Sequence, residues 1–191
     1  NEIIFIDDGS TDDSAIILKQ FKEFNVIRNK KRLGKGSSLR KAINLARGRY
    51  IVIFDGDLEI ETKELILAIS QHQLDTNFII KGNRFHILNK NTKSMYDIGN
   101  LIFNKIFNIL YGTNYYDIFC CLMVVDKQLI KEFKLKSKNF GIETEIMSNV
   151  ARCKLPCKEL DIKYHRRSSG KKLNFFHSLE ILFVMIIQRL K

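Results

Sequence analysis

Apolar residues come along this chain in short blocks separated by polar turns. The clearest block is Tyr50-Ile-Val-Ile-Phe54, which runs straight into carboxylates at every second position, Asp55, Asp57 and Glu59. A short, continuous apolar run of this kind predicts a strand buried on both faces. Glu2–Ile6, Val26–Ile27, Asn77–Lys81 and Asp117–Val125 predict further strands, as does Lys158–Tyr164 with its alternating Leu160 and Ile162. Helical spacing marks Ala15–Phe24, a segment through Leu39, Ile43 and Ala46 that ends at Gly48, then Glu61–Gln71, Tyr96–Tyr111 and a segment from Phe140 through Val150. The acidic turn Asp7–Asp13 is rich in side chains that cap a helix N-terminus, and Asp126 stands where it can cap another. Phe175–Leu190 is apolar, and its stretch Leu179–Ile187 is broken only by Glu180. It is too short to span a bilayer, and it suits an interfacial helix, a helix packed on the domain, or the start of a membrane segment.

Strands alternating with helices predict an α/β fold with a parallel sheet and helices on both faces. No repeat, low-complexity tract or linker divides the chain, so the expected organisation is one domain over residues 1–174 followed by the apolar helix 175–191. In open α/β sheets, ligands bind just beyond the carboxyl ends of the strands. Asp55, Asp57 and Glu59 therefore stand where chemistry is expected. Acids this close repel one another unless a positive charge lies between them. A hard divalent cation with oxygen ligands meets that need, and Mg2+ held by one or two carboxylates usually completes its shell with substrate phosphates. The pattern alone thus points to a metal–diphosphate site.

Composition narrows the partners. The chain has 191 residues, 45% of them hydrophobic, with one Pro and ten Gly, which excludes a disordered or linker-rich chain. A net charge of +11 favours acidic partners: nucleic acid, an anionic membrane surface or phosphorylated substrates. Nucleic acid fits poorly. The basic residues fall in loops rather than along one helix face, and no aromatic–basic stacking pattern accompanies them. Those loops are Arg28–Arg32, the Gly34-Lys-Gly36 turn and His165–Lys172. A lysine between glycines at a helix start suits a phosphate contact, although the full phosphate-loop pattern is missing and a basic solvated turn explains it equally well. The spacing of Cys153 and Cys157 is poor for zinc, and no leader-like segment opens the chain, so the four cysteines are expected as free thiols. No stretch reaches the roughly 18 apolar residues of a transmembrane helix.

Taken in order, Ile-Phe-Ile-Asp-Asp-Gly-Ser-Thr-Asp12, Leu33-Gly-Lys-Gly-Ser-Ser-Leu39 and Ala46-Arg-Gly-Arg-Tyr-Ile-Val-Ile-Phe-Asp-Gly-Asp-Leu-Glu59 resemble the inverting family 2 glycosyltransferases of GT-A fold. Within that family the pattern is most similar to the polyprenyl-phosphate sugar transferases, of the dolichyl-phosphate mannose synthase and glucosyltransferase types. Gly82-Asn-Arg84 stands where these enzymes have Gly-Ser-Arg. Asp117 precedes the Cys-containing run, and Arg167-Ser-Ser-Gly-Lys-Lys172 resembles their basic loop. The resemblance covers nearly the whole chain.

It implies a GT-A, Rossmann-like three-layer sandwich around a mostly parallel sheet. It also implies transfer of a hexose from a UDP- or GDP-sugar to a polyprenyl phosphate at the cytoplasmic face of a membrane. By the same resemblance, Asp7 and Asp8 recognise base and ribose, and Lys35 lies near the nucleotide. Asp57 binds Mg2+ or Mn2+, Asp55 contacts ribose or metal, and Glu59 replaces a Gln at the metal. Arg84, Arg167, Lys171 and Lys172 hold the acceptor phosphate and the leaving diphosphate, while Asp117 orders the site. Were the acceptor a sugar hydroxyl, a base would be needed, and Asp117, Glu143 and Glu145 are the candidates. A non-catalytic scaffold of the same fold is the remaining alternative. Three departures stand out. The family's first strand and its nucleotide loop have no counterpart, because residue 1 already sits on the second strand, so weak donor binding by this chain alone is expected. Cys121 replaces the usual Gly after the first Cys, and Lys172 replaces a Ser.

Overall fold

The computed structural model describes residues 2–75, 77–85, 95–166 and 175–191. The elements run β1 (Ile4–Asp7), α1 (Ser14–Leu18), β2 (Asn25–Arg28), α2 (Lys35–Leu45), β3 (Tyr50–Ile53), α3 (Thr62–Leu74), β4 (Ile79–Asn83), α4 (Met95–Tyr111), β5 (Met123–Asp126), α5 (Lys127–Glu132), α6 (Ile142–Arg152), β6 (Cys157–Asp161) and α7 (Phe175–Arg189).

Four strands form a sheet in the order β3-β5-β4-β6, and β1 and β2 form a separate parallel pair. β4 and β6 are parallel, whereas β5 runs antiparallel to both of its neighbours. Alternation along the strands sorts the core into two layers. Met123 and Val125 face one side with Ile51, Ile53, Phe107, Ile146 and Met185, drawing in α4, α6 and α7. Val124 faces the other side with Ile80, Leu122, Ile162 and Ala68 of α3. The result is a sheet between two helical layers, as the alternation of elements predicted.

Some elements differ from expectation. The helix predicted over Ala15–Phe24 stops at Leu18, and Ile16, Ile17 and Phe21 are exposed. Phe24 closes the segment by packing edge-on against Phe5, with ring centroids 5.3 Å apart, and by stacking on Phe21. The strand predicted over Asp117–Val125 begins only at Met123. Residues before it are equally apolar, but the Asn104 and Glu159 side chains take their N–H groups, Asn104 at Ile118 and Glu159 at Tyr116 and Asp117, in place of a neighbouring strand. The Lys158–Tyr164 strand covers only Cys157–Asp161, and Tyr164 makes an isolated antiparallel bridge to Ile60. Asp126 caps α5 as expected, accepting from the N–H groups of Gln128 and Leu129.

Helix α6 is deeply placed, with every residue from Ile142 through Val150 buried. Its buried polar groups therefore need partners. Glu145 accepts the Lys136 and Ser137 N–H groups and the Gln188 side-chain amide, which ties α6 to the segment before it and to α7. In α7, Ile181 and Met185 face the core, and Tyr111 of α4 donates its hydroxyl to the Met185 carbonyl. An open cavity of about 2810 Å3 is lined by apolar residues of β1 and β3 and by carboxylates that include Asp7, Asp8, Asp55, Asp57 and Glu59.

Gly82 sits where β4 meets the 120–122 segment. A Cβ there would lie 2.7 Å from Cys120 Sγ and 2.9 Å from Ile162 Cδ1. Gly82→Ala is expected to cost about 1–3 kcal/mol of stability. Urea denaturation should give a lower midpoint with an unchanged slope.

Candidate active site

β3 ends at Ile53, and the chain turns through Asp55, Asp57 and Glu59. Leu58 takes a left-handed conformation, φ 62°, unusual for a bulky residue, and is almost fully exposed. That turn closes with the Glu59 N–H donating to Asp57 Oδ1 at 3.2 Å. It is stitched to the chain beyond β6: Tyr164 donates its hydroxyl to Glu59 Oε2 at 2.7 Å, and the His165 N–H donates to the Glu59 carbonyl. Burial, and then the bond to Glu59, push the Tyr164 hydroxyl well above the usual tyrosine range, so it stays a donor. The three carboxylates share a cavity of about 50 Å3 with Arg84, Tyr164, Phe119 and Cys121. Contact with the Cys120 thiol, burial and the Asp55 charge hold Cys121 as a neutral thiol.

The donor set suits a hard divalent cation: three carboxylates on one small cavity, with no thiolate or imidazole among its lining groups. Asp55, Asp57 and Glu59 therefore fit Mg2+ or Mn2+ by chemistry. Yet among the described residues no three acidic, His or Cys side chains close around a single point. Asp55 explains part of this, because it faces Lys35, whose Nζ lies 2.6 Å from Asp55 Oδ2. The same ammonium lies 2.5 Å from Glu143 Oε1 on α6. Burial alone would lower the Lys35 pKa, but the Glu143 and Asp55 charges outweigh it and hold the ammonium well above the ordinary lysine range.

The glycines around Lys35 are needed for close backbone packing. A Cβ on Gly36 would lie 2.3 Å from the Ser137 carbonyl oxygen, and one on Gly34, at φ 93°, would lie 2.5 Å from that of Lys138. Ser37 N–H and the Arg40 guanidinium bond to the same two carbonyls. Glycine thus lets the start of α2 press against residues 137–139, and the lysine between them reaches the cavity.

Asp8 builds this turn. Its oxygens accept from the Leu33 and Gly34 N–H groups, the Asn29 amide and the Ser38 hydroxyl. Burial opposes its ionisation, but these donors outweigh it and set its pKa below the usual Asp range. Asp7 is buried, accepts the Ser10 N–H at 2.8 Å and lies 3.2 Å from Arg28 Nε. Both line the large cavity, and Asp8 also holds the loop through its four donors.

Arg84 and Asp117 form a forked pair, Nε to Oδ2 at 2.7 Å and Nη2 to Oδ1 at 2.9 Å. Asp117 is fully buried and also accepts the Arg84 and Phe119 N–H groups. It thereby fixes the position of the Arg84 guanidinium. Glu145, likewise a candidate base by sequence, is consumed by its three donors. Arg84 still lines both cavities, between the rings of Phe85 and Tyr164 at 5.6 and 5.3 Å. Arg167, Lys171 and Lys172 lie outside the described residues; just before them, Arg166 pairs with Asp97 at the start of α4. Tyr164 was not foreseen as a site residue. Nothing in its own neighbourhood marks it, because it reaches Glu59 only through the bridge to Ile60.

The arrangement is that of a nucleotide-sugar transferase fold, with acids at the end of β3 and cations around them. Glycosyl transferase family 2 matches residues 1–133, and the chain belongs to that family. Glycosyltransferase AglJ of Haloferax volcanii is 24% identical over 99% of this chain and 63% of its own length. Dodecaprenyl-phosphate galacturonate synthase of Rhizobium johnstonii is 24% identical over 100% of this chain and 58% of its own. The Saccharomyces cerevisiae dolichyl-phosphate beta-glucosyltransferase is 25% identical over 99% and 64%. The chain thus spans about three fifths of the length of these curated relatives. Among solved structures, glucosyl-3-phosphoglycerate synthase of Mycobacterium tuberculosis, in complex with Mn2+, UDP-glucose and phosphoglyceric acid, has the same fold. Its TM-score is 0.73, at 14% identity over 99% of this chain and 69% of that one.

Asp117→Asn should strand the Arg84 guanidinium in the interior. Breaking a buried pair on one side is expected to cost about 3 kcal/mol. Thermal melting should show the loss, and Arg84→Lys should not restore the forked geometry.

Proposed function

We propose that this chain carries the donor site of a metal-dependent inverting transferase. It moves a hexose from a UDP- or GDP-sugar to a polyprenyl phosphate at a membrane surface. The observation that carries the reading is the convergence of Asp55, Asp57 and Glu59 with Arg84 on one cavity at the end of β3. Asp57, with Asp55 and Glu59, would hold Mg2+ or Mn2+, which when bound neutralises charge on the donor diphosphate. Asp7 and Lys35 line the wider cavity, where they can contact the nucleotide. Arg84 supplies a fixed cation against the charge that grows on the diphosphate as it is displaced from the anomeric carbon by the acceptor oxygen. Arg167, Lys171 and Lys172 would add to it and take the acceptor phosphate.

Two features favour a phosphate acceptor over a hydroxyl. A phosphate is already anionic and needs no general base, and each acid that could act as one is engaged: Asp117 by Arg84, Glu145 by three donors, Glu143 by Lys35. The second is the outer face of α7. Leu179, Phe183, Ile186, Ile187 and Leu190 fall on one helical stripe and are all exposed, beside the exposed Ile102 and Ile109 of α4. The inner sides of these two helices, through Asp97, Phe103 and Ile181, line the large cavity. An apolar face carried on a wall of the site suits a bilayer that presents a lipid acceptor, and a charge of +11 suits the anionic cytoplasmic leaflet. No helix among the described residues is long and apolar enough to cross a membrane. The relatives that act on dodecaprenyl and dolichyl phosphates support the same acceptor class.

A donor screen with a short polyprenyl phosphate, read by released nucleoside diphosphate, should give metal-dependent turnover. Asp57→Ala should abolish it with an unchanged circular dichroism spectrum; retained activity would reject the metal role. Replacing Phe183 and Ile187 by Glu should sharply reduce sedimentation with phosphatidylserine vesicles and leave turnover of a water-soluble, short-chain acceptor intact.

A further inference from the structure

We propose that Lys35 is a resident cation that competes with the divalent metal for Asp55, and that Glu143 is the positioning residue that sets how strongly it competes. The proposal rests on the metal reading of the carboxylate cluster and goes beyond it. Lys35 Nζ lies 2.6 Å from Asp55 and 2.5 Å from Glu143, and the Lys35 and Glu143 side chains are only 23% and 8% exposed. One ammonium thus bridges a carboxylate of the small metal-sized cavity and a carboxylate of α6 that lies outside that cavity's lining.

The bridge is built rather than incidental. Glycines on either side of Lys35 let the start of α2 sit against the backbone of residues 137–139. That backbone is fixed through the Lys136 and Ser137 N–H groups by Glu145, two residues along α6 from Glu143. The same first turn of α6 therefore fixes both the loop that aims Lys35 and the carboxylate that receives it. Asp55 in turn faces the lysine, in keeping with the absence of any closed three-ligand group among the described residues.

It follows that a cation binding at Asp57 and Glu59 completes its shell with Asp55 only by taking it from Lys35. Glu143 makes the exchange tolerable, because the displaced ammonium keeps one buried partner instead of none. The two side chains should therefore act in opposite senses on metal affinity, and Glu143 should act only through Lys35.

Mn2+ binding followed by electron paramagnetic resonance, without nucleotide, tests this. Lys35→Met should tighten binding about tenfold. Glu143→Gln should weaken it in the wild-type background and leave it unchanged in the Lys35→Met background. Asp55→Asn should erase the effect of Lys35→Met. A general charge effect would instead persist through every combination, and that result overturns the proposal. Wild-type protein gives an independent reading that needs no folded variant. The Lys35 side-chain ammonium signal in 15N nuclear magnetic resonance should shift as Mg2+ is added, with a midpoint that tracks metal binding; an unmoved signal overturns the proposal. If the wild type binds no Mn2+, the metal reading fails and this proposal with it. If it binds Mn2+ with an affinity indifferent to Lys35, only this proposal fails.

Discussion

Concentrating negative charge at the end of β3 is the constraint on which this structure turns. Three carboxylates within five residues of a partly buried turn repel one another unless donors or cations face them. Each is answered separately. Asp55 faces the Lys35 ammonium, Asp57 receives the N–H of its own turn, and Glu59 receives the Tyr164 hydroxyl. Much of the surrounding architecture serves these answers. The glycines of α2 bring Lys35 close, α6 receives it through Glu143, and the bridge between Ile60 and Tyr164 delivers the hydroxyl.

Buried charge elsewhere follows the same logic. Arg84 and Asp117 satisfy each other in a forked pair, and Glu145 is saturated by backbone and amide donors. Lys81 is fully buried in β4 and donates to the Cys120 carbonyl, which helps hold the 117–122 segment that carries Asp117 and lines the small cavity with Phe119 and Cys121. The polar interior is thus a scaffold for the loops around the site.

The sequence disclosed the strands best where apolar runs were continuous. β3 and the acids after it were read from Tyr50–Glu59, and the sandwich from the alternation of elements. What it hid depended on contacts between distant segments. The apolar run Ile118–Leu122 looks like a strand, but side chains of Asn104 and Glu159 hold its start as a loop. The 15–24 segment has helical spacing, yet its aromatic residues pack on one another and on Phe5 rather than on the domain core. Asp7 and Asp8 look equivalent in sequence, and only the folded turn shows that Asp8 is taken up by four donors. The glycines beside Lys35 suggested a phosphate cradle because close approach of a backbone and close approach of a phosphate demand the same absent side chain.

Calorimetry of nucleoside diphosphate binding decides whether the end of β3 is the proposed metal–diphosphate site. UDP or GDP should bind in Mn2+ and lose that binding in EDTA, with the metal dependence gone in Asp57→Ala. Binding of equal strength with and without the cation would exclude a metal–diphosphate site there.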